Sequence, residues 1–113
     1  MEATNIFEKL EKAGKPAFYY TELAKRLNSV RDAVFLSYLI RLQSSEKSQD
    51  GWICKMIAEI QEETGLSRWE QKTARNNLKS LGILKEKYAG LPRKLYFKVD
   101  LEKLKSLLSK SEK

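Results

Sequence analysis

Arg68, Lys72, Arg75 and Lys79 recur at spacings of four, three and four residues. On a helix those positions share one face, so their charges form a single positive stripe. Asn76 lies beside the stripe and Ser67 precedes it. A guanidinium reaches guanine O6 and N7 in a forked pair, a carboxamide does the same for adenine, and ammonium groups serve phosphates. A second basic segment follows, Lys87-Tyr88-Ala89-Gly90-Leu91-Pro92-Arg93-Lys94. The chemistry these residues offer is recognition of a polyanion.

The distribution of charge points the same way. The chain has 22 Lys and Arg against 15 Asp and Glu, a net +7. From Ser67 to Lys98 there are nine bases and two acids, Glu70 and Glu86, while the remainder holds thirteen of each sign. All the net charge therefore sits in under a third of the chain, an asymmetry that suggests an anionic partner.

Much other chemistry is excluded. The chain contains no histidine and one cysteine, Cys54. Serine–histidine and cysteine–histidine nucleophiles, histidine-ligated zinc, an internal disulfide and a multi-cysteine metal site cannot be built. Glu62 and Glu63 are adjacent, so on a helix they diverge by about 100° and read as a solvated face. Tyr19 and Tyr20 read as core aromatics, Asp50 as a loop residue without partner ligands, and Cys54 as a small apolar filler. The expectation is a protein that is not an enzyme, with no catalytic residue, cofactor, metal or small-molecule substrate.

Positioning the basic residues requires a folded domain. At 113 residues, 42% hydrophobic and 33% charged, the chain fits one globular unit. No apolar run approaches the ~20 residues that span a bilayer. Met1 to Leu10 hold acids and no apolar block. No membrane partner and no signal peptide are expected, and the cytoplasm is the expected location.

Helical periodicity marks Glu2–Ala13, with Ile6, Phe7 and Leu10 on one face, and Thr21–Leu27, with Leu23, Ala24 and Leu27. Gly14-Lys15-Pro16 and Asn28-Ser29 interrupt them. Ser29 and Asp32 form a capping-box pattern before a helix to about Leu42 that is apolar nearly all round, hence central. Gln43 to Gly51 reads as a surface loop, and Trp52-Ile53 as a short strand. Lys55–Thr64 is predicted helical, with Met56, Ile57 and Ile60 inward. Gly65-Leu66-Ser67 ends it, and Ser67 with Glu70 caps a further helix to Leu81 that turns Ala74, Leu78 and Leu81 to the core. Two strands, Ile83–Ala89 and Lys94–Val99, are joined by a hairpin loop. Asp100 caps a last helix with Leu101, Leu104, Leu107 and Leu108 on one face, and Ser109–Lys113 is a polar tail.

Several segments together resemble the N-terminal domains of phage and plasmid replication initiation (replisome organiser) proteins. They are Tyr20-x-Glu22-Leu23-Ala24, the apolar helix Val30–Leu42, Asp50-Gly51-Trp52-Ile53, Glu62 to Arg68, Ala74-Arg75, Leu78 to Leu84 and Lys94 to Asp100. The likeness covers about Tyr19 to Leu108. It implies a winged helix that binds origin or operator duplex DNA. Replication proteins of this sort usually continue into a second domain that recruits a helicase or oligomerises. The end of this chain at Lys113 points to a standalone regulator or a minimal accessory protein of a mobile element.

The expected fold is α+β, mainly α with a small β-hairpin: a winged helix-turn-helix over 1–113. Its parts are an N-terminal helix and turn (1–16), a core (17–99) with a wing at 87–94, and a C-terminal helix and tail (100–113). Double-stranded DNA is the expected partner. Its expected contacts are Ser67, Arg68, Lys72, Arg75, Asn76, Lys79, Lys87, Arg93 and Lys94, with Trp69 touching DNA sugar or packing on the preceding helix. An acidic protein would suit the same basic face. Single-strand or RNA binding would call for aromatics exposed among the bases, for which Tyr88, Tyr96 and Trp69 are available. The apolar faces of Glu2–Ala13 and Asp100–Ser109 either cover the core or pair between chains, and they point to a homodimer.

Overall fold

The computed structural model describes residues 2–45 and 49–110. Among them are six α-helices and a three-stranded antiparallel sheet, an α+β fold. The helices are α1 (Glu2–Ala13), α2 (Thr21–Leu27), α3 (Val30–Ser45), α4 (Ile57–Thr64), α5 (Arg68–Ser80) and α6 (Leu101–Lys110). The strands are β1 (Ile53–Cys54), β2 (Leu84–Ala89) and β3 (Lys94–Val99), and a 3-10 turn spans Gln49–Gly51.

α3 is central because it is apolar on nearly every side. Ala33, Phe35, Leu36 and Leu39 are wholly buried, and Leu23, Ile60, Leu78, Ile83, Phe97, Val99 and Leu104 pack into the same cluster. Phe35 meets Phe97 edge-on, their ring centroids 6.0 Å apart. Each large side chain so enclosed contributes about 1.5–3 kcal/mol relative to exposure.

α3 runs to Ser45, past the predicted end at Leu42. The extra turn places the Gln43 carboxamide against β3, where it accepts from the Val99 N–H at 2.9 Å and donates to the Val99 carbonyl at 3.2 Å. The side chain thus satisfies an edge that β1 is too short to reach. Of the predicted loop, 46–48 lie outside the described residues, as do 111–113 of the predicted tail.

β3 is the middle strand, flanked by β1 and β2. Leu84 opposes Val99, Glu86 opposes Phe97 and Tyr88 opposes Leu95, so these side chains face the helices. Lys85 opposite Lys98, Lys87 opposite Tyr96 and Ala89 opposite Lys94 face away from them.

Several inward assignments are corrected by the packing. Ile6, Phe7 and Leu10 are exposed, so the apolar face of α1 does not enter the core. Tyr19 and Tyr20 are exposed, and so is Cys54. Met56 precedes α4 and points outward. Leu81 and Leu101, each at a helix end, are exposed as well. Periodicity for the helical residues, and residue type for Tyr19, Tyr20 and Cys54, marked an apolar side chain without showing whether a neighbour covers it. In α6, Leu104 is buried and Leu107 and Leu108 pack against the cluster, so this helix does cover the core.

Candidate nucleic-acid interface

The turn between α4 and α5 is fixed by local chemistry. Gly65 takes φ 81°, a left-handed conformation that a side chain would strain. Its N–H donates to the Gln61 carbonyl at 2.8 Å. Ser67 and Glu70 form the predicted capping box: the Glu70 N–H donates to Ser67 Oγ at 3.1 Å, and the Ser67 N–H to Glu70 Oε1 at 2.8 Å. Glu70, the one acid of α5, is thereby committed to the helix end.

Gln71 locks the same turn, and sequence reasoning passed over it. It is 1% exposed. Its Nε2 donates to the Ile57 carbonyl at 3.1 Å and to the Leu66 carbonyl at 3.0 Å, tying α5 to the start of α4 and to the turn. The available signal was position: Gln71 stands four residues after Ser67 and three before Ala74, on the inward stripe of α5.

Asn77 fastens the opposite flank. Its Nδ2 donates to Asp32 Oδ2 on α3 at 3.0 Å, and Arg31 Nε donates to Asp32 Oδ1 at 3.1 Å. Asp32 is buried, and its N–H donates to Ser29 Oγ at 3.1 Å. The predicted capping pattern at Ser29 is thus half used, because the Asp32 carboxylate serves α5 instead.

With these anchors set, α5 presents Arg68, Trp69, Lys72 and Asn76 to solvent. Trp69 is 71% exposed, and Lys72 Nζ lies 5.9 Å from its ring centroid. Trp69 therefore does not pack on the preceding helix. Thirteen residues make α5 about 20 Å long.

The cationic stripe does not act as one unit. Arg75 turns to the hairpin, where its Nε lies 2.6 Å from Glu86 Oε2 and its Nη2 3.2 Å from Glu86 Oε1. Lys79 Nζ donates to the same Oε1 at 3.0 Å. The Arg75 and Glu86 side chains are only 16% and 10% exposed. Hydrogen bonding to Glu86 raises the Arg75 pKa against the opposing effect of burial. Burial pushes the Glu86 carboxyl up, but hydrogen bonds from Arg75 and Lys79 hold it below its ordinary value. Arg75 thus joins α5 to β2, and its forked face is occupied.

The wing cations are also divided. Arg93 stacks on Tyr88, its Cζ 4.6 Å from the ring centroid, on the helix side of the hairpin. Lys87 and Lys94 lie on the opposite, solvent-facing side of the sheet. Of the nine residues nominated from sequence, Arg68, Lys72 and Asn76 share the open face of α5, and Arg93 lies on the hairpin's helix side. Ser67 caps the helix, Arg75 is held by Glu86, Lys79 bonds Glu86 while its side chain stays 41% exposed, and Lys87 and Lys94 lie on the outer face of the sheet.

No protein-family model matches the chain, and no curated protein or solved structure matches it significantly. The functional reading therefore stands on geometry and charge. Among the described residues, no three His, Cys, Asp or Glu side chains gather where they would hold a metal ion. No helix among them is long and apolar enough to cross a membrane.

Proposed function

We propose that the protein is a winged helix-turn-helix that binds double-stranded DNA without catalysing a reaction, with α5 in the major groove and the β2–β3 hairpin as the wing. The observation that carries this reading is the open face of α5. It displays Arg68, Lys72 and Asn76 with no acid among them, on a helix pinned at both flanks by Gln71, Asn77 and Arg75. With its side chains a helix is about as wide as the ~12 Å major groove. Arg68 and Asn76 supply the forked groups that read purine edges, and Lys72 supplies a phosphate contact. Arg93, held on Tyr88 beside the helix, reaches the flanking backbone or minor groove. A transcriptional regulator or a replication accessory of a mobile element would both use such a surface.

Selection from a random duplex pool at near-physiological salt tests the proposal. An enriched motif is expected, lost on Arg68→Ala or Asn76→Ala. With three to four phosphate contacts, log affinity is expected to fall against log salt with a slope of about −3. Duplex left unbound even at low salt would overturn the reading and favour an acidic protein partner for the same face.

A further inference from the structure

The outer face of the sheet carries a second basic surface, apart from α5. Side chains paired across an antiparallel ladder point to the same side. Lys85 opposite Lys98, Lys87 opposite Tyr96 and Lys94 opposite Ala89 therefore share the side turned away from the helices. Cys54, opposite Tyr96, brings β1 alongside, and Trp52 two residues earlier joins the same face. Lys87 Nζ lies 4.3 Å from the Trp52 ring centroid, and Lys98 Nζ 5.7 Å from it. No acidic side chain of the three strands points this way; Asp100 meets Lys85 only at the rim, at 3.8 Å.

This face is arranged against the protein's own interest. Lys85 and Lys98 are directly opposed like charges, a pairing that destabilises a sheet. Lys87 adds a third ammonium to this face, sharing the Trp52 ring with Lys98. An anion laid across the strands would relieve the repulsion. Charge alone would accept any polyanion, and the aromatics narrow the choice. Trp52 and Tyr96 stand among the lysines on this face of the sheet, both half-buried. A duplex offers phosphates but keeps its bases stacked inside. An acidic peptide offers carboxylates but no regular succession of planar groups between them. A single strand offers both phosphates and unstacked bases.

We infer that the outer face of the β1–β3–β2 sheet binds single-stranded nucleic acid. The backbone runs along Lys85, Lys98, Lys87 and Lys94, and bases stack on Tyr96 and Trp52. Lys87 leaves the Trp52 ring for a phosphate as a base takes its place. The site is separate from the open face of α5 and does not rest on the duplex reading.

The chain has two tryptophans, so Trp69→Phe leaves Trp52 as the sole indole. This variant is titrated at low salt with oligo-dT, oligo-U and oligo-glutamate. Saturable quenching of Trp52 emission is expected with one or both oligonucleotides, and comparing the two reports the preferred sugar. The salt slope for three to four lysine contacts is expected at about −2 to −3. Lys87→Ala combined with Lys98→Ala should weaken binding at least about tenfold, as the loss of two phosphate contacts implies. The thermal midpoint should change little, because relief of like-charge repulsion offsets the loss of the cation contacts on Trp52. Arg68→Ala with Lys72→Ala should leave single-strand binding intact, and the effect of that variant on duplex binding tests the α5 reading independently. Absence of quenching, oligonucleotide binding untouched by the lysine pair, or stronger binding of oligo-glutamate would each overturn the inference.

Discussion

Arg75 holds Glu86 in a forked pair across the junction of α5 and β2, with Nε to Oε2 at 2.6 Å and Nη2 to Oε1 at 3.2 Å. The pair sets the hairpin against the helix. Arg75, expected from sequence to contact DNA, is engaged by Glu86, and Arg68, Lys72 and Asn76 make up the open face of α5.

Arg75 and Arg68 are therefore expected to fail in different ways. Arg75→Ala leaves the Glu86 carboxylate with Lys79 alone in a largely enclosed site, and stability should fall by about 1–3 kcal/mol. Arg68→Ala should leave stability within about 0.5 kcal/mol, since its side chain is exposed. It should weaken duplex binding by about 1–3 kcal/mol. Urea unfolding and fluorescence anisotropy on the selected duplex separate the two; the opposite pattern would return Arg75 to the contact surface.

Acid should loosen the same junction. The Glu86 carboxyl is pushed up by burial, yet the bonds from Arg75 and Lys79 leave it below its ordinary value. The backbone N–H of Lys103 holds Asp100, at the start of α6, lower too. A carboxyl depressed in the folded state stabilises it above the unfolded pKa, and that contribution is lost as pH falls through the folded one. The thermal midpoint should be flat between neutrality and about pH 5 and then decline. Glu86→Gln should start lower and decline less, which a series of melts against pH would reveal.

Gln71 is expected to matter more than any exposed residue of α5. Gln71→Ala strips one buried and one part-buried carbonyl of their donor and opens a void beneath the turn, at a cost of about 2–3 kcal/mol. Gln71→Met fills the space but restores no bond, so it should recover only part. Its Oε1 is buried without a hydrogen-bond partner, so its removal relieves a desolvation penalty and offsets part of these losses. Chemical denaturation of both variants checks the order.

The two ends of the burial scale provide a contrast. Phe35, wholly enclosed beside Phe97, should cost about 3–5 kcal/mol when changed to alanine. Phe7 on α1 is 67% exposed, and Phe7→Ser should alter stability by less than about 0.5 kcal/mol. A large loss from Phe7→Ser, measured by denaturation at low protein concentration, would mean that the α1 face is covered after all.

The sequence by itself determined what is encoded within a few residues. Ser67 and Glu70 cap α5, Gly65 ends α4, Asp100 caps α6, and the alternation of Leu95, Phe97 and Val99 sets the inward face of β3. These depend on backbone geometry and period, which the chain carries locally. The charge asymmetry was equally plain, because it needs only counting.

Tertiary structure alone decided which cations remain available and where they point. Glu86 reaches Arg75 from eleven residues away, Asp32 reaches Asn77 across 45, and Gln43 meets Val99 across 56. Such partners are set by how the elements pack, and no local pattern announces them. The same holds for cover: Ile6, Phe7 and Leu10 have the period of a buried face, yet no packing buries them. Lys87 and Arg93 belong to one basic hairpin in sequence. They point to opposite sides: strand pairing puts Lys87 with Tyr96 on the outer face, while Arg93, in the turn, folds over Tyr88 on the inner one, so a single basic segment resolves into two surfaces.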